Sequence, residues 1–134
     1  MSRLVVDTDV ASYIFKWHPA AAGYVRLLRE HAADLSFMSV AEMWSGALHA
    51  NWGTRRLDLL HQYLSDFTIC YPDRSLCIIW AEVKLDSTRK GNPISAQDAW
   101  IAATAIYLEE PLLTNNHQHF LHVTGLELVR PAMA

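Results

Sequence analysis

The sequence predicts an α/β fold: a central short-stranded parallel sheet flanked by helices, in three layers. Three observations predict it. Short apolar runs, several rich in β-branched residues, alternate with longer stretches whose apolar side chains recur every three or four positions. The runs are apolar at successive positions, as strands covered on both faces are. The stretches between them are long enough to be the crossover helices that parallel strands require.

Leu4-Val5-Val6 is the first strand, ending at Asp7. Val10 to Lys16 can begin a helix, Pro19 interrupts it, and Ala20 to His31 forms a second with Val25 and Leu28 on one face. Leu35 to Met38 reads as the second strand. Ser39 opens a helix on which Val40, Met43, Trp44, Ala47 and Leu48 recur at helical spacing. Trp52-Gly53 breaks the pattern, and Arg55 to Leu64 follows as a helix carrying Leu57, Leu60 and Leu64. Phe67 to Tyr71 is the third strand, closed by Pro72-Asp73. Ser75 to Lys90 is a long amphipathic helix whose basic end precedes Gly91. Ser95 caps a helix running to about Glu110, and Pro111 to Thr114 and Leu126 to Val129 complete the sheet.

The size and composition bound what this fold does. A chain of 134 residues, 51% hydrophobic and 19% charged, suits a single domain over residues 1–134 with one sizeable core. The formal net charge of -3 argues against a domain that clamps nucleic acid through bulk positive charge. An enzyme that reaches phosphates through a metal ion stays open. Cys70 and Cys77 are too few for a disulfide framework and lack zinc-ligand spacing, so they read as two buried, reduced thiols. The N-terminal run MSRLVVDTDV is no signal peptide, and no eighteen-residue apolar stretch occurs. The expectation is a cytoplasmic protein with no membrane association.

In open parallel sheets, ligands bind beyond the carboxyl ends of the strands. Asp7, Glu42, Asp98 and Asn116 all fall there, drawn from distant parts of the chain. Each of two acids has a plainer explanation. Ser39 with Glu42, and Ser95 with Asp98, have the spacing of a capping serine and an acid three residues on. Asp9 reads as a cap for the helix after it. Asp7 is harder to explain, because it directly ends an apolar strand. If Asp7, Glu42 and Asp98 converge, removing their three negatives from the net charge of -3 leaves zero for the rest, so the excess is local. Such an oxygen-rich site suits Mg²⁺ or Mn²⁺, which polarises a phosphodiester and generates or orients an attacking hydroxide.

Several segments together carry a resemblance over nearly the whole chain. They are Leu4 to Asp9, Ser39 to Gly46, Trp80-Ala81, Gly91 to Ile94, Asp98 to Ala105, and Leu113 to Phe120. In order and spacing the chain resembles a PIN-domain ribonuclease of the VapC toxin type. The resemblance implies that Asp7, Glu42 and Asp98 hold the metal and that Asn116 joins them as a catalytic residue. The family often has a fourth acid where this chain has His119; with imidazole there, a poor ligand for Mg²⁺, the expectation is one firmly held ion. Thr8 and Thr114 are expected to orient the acids or a phosphate, and Arg89, with Lys90, Arg55 and Arg56, to contact the RNA backbone. Trp44 and Trp100, each two residues after an expected ligand, are core candidates that would wall the cleft. His117, His119 and His122 read as loop residues at its rim. The resemblance further implies an RNA substrate, tRNA among the candidates, a homodimer, and an antitoxin whose helix occupies an apolar groove.

Two other functions compete. A catalytically degenerate PIN domain would bind RNA or a partner without cutting, and His119 favours it. A metal-dependent phosphatase would use Asp7 of the Asp7-Thr8-Asp9 run as a covalent nucleophile, but it needs a lysine on the phosphate and none is placed for it.

Overall fold

The computed structural model describes residues 2–131. Five strands, β1 (Arg3–Val6), β2 (Ala32–Ser36), β3 (Thr68–Cys70), β4 (Leu112–Leu113) and β5 (Leu128–Val129), form one sheet. The helices are α1 (Thr8–Phe15), α2 (Ala21–Leu28), α3 (Phe37–His49), α4 (Thr54–Ser65), α5 (Arg74–Arg89) and α6 (Ala96–Leu108). All pairings are parallel, in the order β3-β2-β1-β4-β5. This is the predicted α/β class.

The alternation of side chains along β1 sorts the core into two layers. Leu4 and Val6 face a cluster with Val10, Leu35, Met43, Leu60 and Leu113, covered by α1 to α4. Val5 faces the other way, onto Val83, Ile101, Ala102, Ala105 and Leu112, under α5 and α6. Helix α6 is apolar almost all round, and its buried alanines at 99, 102, 103 and 105 let it lie close between α5 and the sheet.

The first three strands step outward in one direction from β1. After β3 the chain crosses to the opposite side of β1 through α5 and α6 and adds β4 and β5. The strand order therefore reverses between β1 and β4, and a crevice opens beyond their carboxyl ends. Backbone bonds from Val5 N to Pro111 O and from Asp7 N to Leu113 O, both 2.9 Å, fix the two strands there.

Three sequence expectations need correction. The second strand spans Ala32–Ser36 rather than residues 35–38, and α3 begins at Phe37. Asp34 disguises the strand: it is an acid at a buried position, compensated by a two-pronged contact from Arg3 (Nε to Oδ2 3.0 Å, Nη2 to Oδ1 2.7 Å). The serine that caps α3 is accordingly Ser36, whose Oγ accepts from Met38 N at 3.1 Å. Finally, Cys77 is exposed and Cys70 only half-buried, so the thiols are free but not both buried. Among the described residues, no helix is long and apolar enough to cross a membrane.

Candidate functional site

Asp7 stands at the mouth of the crevice, 6% exposed. It is itself the cap of α1: its Oδ1 accepts from Thr8 N at 2.7 Å. Its Oδ2 accepts from Thr114 Oγ1 at 2.7 Å, across 107 positions of chain. The turn after β4 is held in place by Asn116 N, which donates to the same threonine oxygen at 3.0 Å.

Because Asp7 caps α1, Asp9 is released from the role the sequence suggested. It lies in the first turn and faces the same crevice. Its carboxylate accepts from Val10 N at 2.7 Å and from Asn115 N at 3.2 Å. Asn115 is in turn held by Tyr24, whose hydroxyl donates to Asn115 Oδ1 at 2.6 Å.

The shift in α3 changes the meaning of Ser39 and Glu42. Ser39 is fully buried one turn inside the helix and caps nothing. Thr8 Oγ1 lies 2.8 Å from both Ser39 Oγ and Glu42 Oε1. A hydroxyl has one proton and a carboxylate only accepts, so the Thr8 proton goes to Glu42 and Ser39 supplies its own to Thr8. Glu42 thus points to the crevice, with no hydrogen bond recorded at Oε2 among the described residues.

Asp98 occupies the first turn of α6, where Ser95 Oγ accepts from Asp98 N at 3.1 Å. The cap is as expected, yet the Asp98 carboxyl is turned to His119: Oδ2 lies 3.1 Å from Nδ1. Asn116 Nδ2 lies 3.1 Å from His119 Nε2. The consistent assignment has Nδ1 donating to Asp98 and Nε2 accepting from Asn116.

The four acids act on one another. Burial, and then the charge of Asp9, push Asp7 up to about 7; bonds from Thr114 and Thr8 oppose this, and Asp98 adds to it. Burial likewise holds Asp9 above the usual range, and Asp98 contributes. Glu42 is raised by burial first, against the Thr8 bond, and then by Asp98 and Asp9.

Such a donor set fits a divalent cation in chemistry and in charge: hard oxygens whose negative charges repel one another. It is not a ready-made shell, since among the described residues no three His, Cys, Asp or Glu side chains stand close enough to hold an ion as they are.

The other expected residues divide. Asn116, Thr8 and Thr114 are in the site. Arg89 is not: it is exposed at the end of α5, near Asp86, on a groove lined by Glu82, Ile106 and Val123. Lys90 binds Asp86 at 2.8 Å, His122 O at 2.9 Å and the Thr124 hydroxyl. Arg56 lies 3.8 Å over the Trp52 ring, and with Arg55 it borders a different groove. Trp100 stacks on Trp80 at 5.0 Å and meets Phe37 edge-on, while Trp44 packs on the core of the α1–α4 side. The sequence reading missed Asp9, Asn115, Tyr24 and the true role of Ser39. For Asp9 a signal existed in the Asp7-Thr8-Asp9 run, two acids flanking a hydroxyl.

Comparison with known proteins agrees with this architecture. Residues 4–126 match the family described as PIN domain. The chain is 26% identical over 125 residues to Ribonuclease VapC1 of Haemophilus influenzae strain R2866, covering 92% of this chain and 93% of that protein. It is 23% identical over 126 residues to the tRNA(fMet)-specific endonuclease VapC of Shigella flexneri, covering 94% and 96%. Among solved structures, VapBC2 from Rickettsia felis, bound to a DNA fragment from its promoter, has a TM-score of 0.83 at 23% identity. The match covers 94% of this chain and 96% of that one.

Proposed function

This chain belongs to the PIN-domain family, and from that premise we propose that it is a metal-dependent endoribonuclease, the toxin half of a toxin–antitoxin pair. The observation that carries the proposal is the gathering of Asp7, Asp9, Glu42 and Asp98 at the β1–β4 crevice, where burial and mutual repulsion raise the proton affinity of the first three. Asp7, Glu42 and Asp98 would hold Mg²⁺ or Mn²⁺. When bound, the ion supplies polarisation of a phosphodiester and a water acidic enough to attack it.

The remaining roles belong to the chain itself. Thr114 and Thr8 fix the carboxylates of Asp7 and Glu42 with hydroxyl bonds. Glu42 Oε2 is open to a cation or to a proton leaving the water, and its raised proton affinity suits the second task. Asn116 places an amide at the rim, where its second N–H can meet a phosphate oxygen, and His119 ties that amide to Asp98. The substrate we propose is RNA; the Shigella relative's activity on tRNA(fMet) makes tRNA the first class to try. A phosphatase reading fails on its lysine: Lys84 bonds to Ile94 O at 2.7 Å, Lys90 is engaged as described, and Lys16 borders the groove of Arg55 and Arg56.

The antitoxin we place on that same groove, about 1260 Å³, between α1, α2 and α4. Ile14, Phe15, Val25 and Leu59 give it an apolar floor, and Lys16, Arg29, Arg55 and Arg56 a basic border. Trp17, 90% exposed, stands at its edge. An amphipathic helix with acidic flanks fits such a surface. We also expect a homodimer, on the resemblance alone.

The test is incubation of total cellular RNA with the purified chain and Mg²⁺ or Mn²⁺, beside Asp7→Ala. Discrete products, lost in the variant and with chelator, are expected. Intact RNA from well-folded protein with either ion would leave the second reading, a PIN domain that binds without cutting. The Asp98–His119 contact favours that reading. Calorimetric titration of Mn²⁺ then decides, since a domain without catalysis has no need of a tightly held ion.

A further inference from the structure

An RNA strand drawn to four carboxylates needs fixed cations nearby as well as a metal, because phosphates and acids repel. The basic residues the sequence offered for this lie elsewhere: Arg89 and Lys90 at the end of α5, and Arg55 and Arg56 on the groove beside α4. One arginine remains at the crevice. Arg130 directly follows β5, so it emerges from the same carboxyl edge of the sheet as Asp7 and Thr114. It is exposed, and among the described residues no carboxylate lies within ion-pair distance of it.

Its guanidinium is anchored. Arg130 Nε donates to His117 Nδ1 at 3.2 Å. The imidazole accepts there, so it is neutral, and the bond uses the inner nitrogen of the guanidinium. Both outer nitrogens stay available as a planar fork, the form that matches two phosphate oxygens.

Its neighbours connect it to the acids. His117 immediately follows Asn116, and it feels both the charge of Arg130 and that of Asp9. The Tyr24 hydroxyl feels the same two charges, and it holds Asn115, whose N–H donates to Asp9. Arg130 and Asp9 therefore border the same small group of side chains, His117, Asn115 and Tyr24.

The geometry points to Arg130, positioned by His117, as the cation that receives an RNA backbone phosphate beside the bond cut in the acid crevice. The inference rests on the ribonuclease reading for what lies in the crevice, but the contact itself is measurable without cleavage. Binding of a fluorescent single-stranded RNA of mixed sequence is followed by anisotropy, with Mg²⁺, in the full chain carrying Asp7→Asn so that nothing is cut. Adding Arg130→Gln is expected to weaken binding about fivefold and to lower the salt-dependence slope by about 0.7, the value for one phosphate contact to a single strand. Arg130→Lys should keep most of the slope while losing affinity, since the charge stays and the fork goes. Arg74→Gln, which removes the same charge beside Asp73 near the far end of α6 from Asp98, should change neither.

An unchanged slope and affinity in Arg130→Gln, or no RNA binding by the Asp7→Asn chain, overturns the inference. Failure of the ribonuclease reading looks different: an Arg130-dependent slope beside RNA left intact by the unsubstituted chain supports the phosphate contact and removes the nuclease.

Discussion

Two threonine hydroxyls tune the site, because each donates to an acid whose proton affinity burial and like charges raise. Thr114→Val removes the donor to Asp7 Oδ2 inside a buried setting. We predict a loss of about 1–3 kcal/mol in chemical denaturation and a pH–activity profile moved upward, since Asp7 then holds its proton to higher pH. Asp7 also gives the metal-free protein a pH dependence of definite sign. Its folded pKa of about 7 exceeds its ordinary 3.8, so the native state binds the extra proton between those values. Stability is fullest below the ordinary value and falls as pH rises through 7. In chelator, melting at pH 5 should exceed melting at pH 8, and Asp7→Asn should flatten the difference. Asp7, Glu42 and Asp98 were legible in the sequence because Asp7 directly ends an apolar strand and the other two lie near the starts of apolar-patterned helices. Asp9 was not, because an acid in a first helical turn already has a sufficient explanation in the helix dipole.

At the scale of elements, the register of α3 decides what Glu42 is. With Ser39 as the cap, Glu42 would reach back to the helix end. With Ser36 as the cap, Glu42 lies on the second turn and bonds across to Thr8. The two serines therefore separate by experiment. Ser36→Ala should cost about 1 kcal/mol of thermal or chemical stability with the RNA-cleaving activity of the folded fraction retained. Ser39→Ala should keep the cap and reduce cleavage, because Thr8 loses the neighbour that fixes its proton toward Glu42. The reverse pattern would return the cap to Ser39. The helices and strands were otherwise readable from apolar spacing to within a few residues. The exception, β2, failed for a physical reason: Asp34 is an acid in a strand, tolerated only through Arg3, which lies 31 positions away and is invisible to any local pattern.

Over the whole molecule, that same pair extends to a third charged side chain, Glu110. Arg3 reaches Asp34 and approaches Glu110 at 3.7 Å, and Glu110 Oε2 is buried without a partner. A proton on that oxygen would make it a donor to Asp34, in keeping with a carboxyl pushed up to about 7 by burial and by Asp34. The sign matches that of Asp7: stability from the shared proton is complete below the ordinary carboxylate range and is lost as pH rises through 7. Glu110→Gln, which keeps a donor at every pH, should raise the melting temperature at pH 8 relative to the unsubstituted chain and leave pH 5 nearly unaltered. The strand order β3-β2-β1-β4-β5 also governs when in the life of the chain a site can exist. A growing polypeptide emerging from the ribosome can pair β1, β2 and β3 early, yet β1 then lacks its neighbour on the other side. Asp7 meets Thr114 only after residues synthesised 107 positions later have folded against it. Unfinished chains thus carry the acids without the crevice that gathers them.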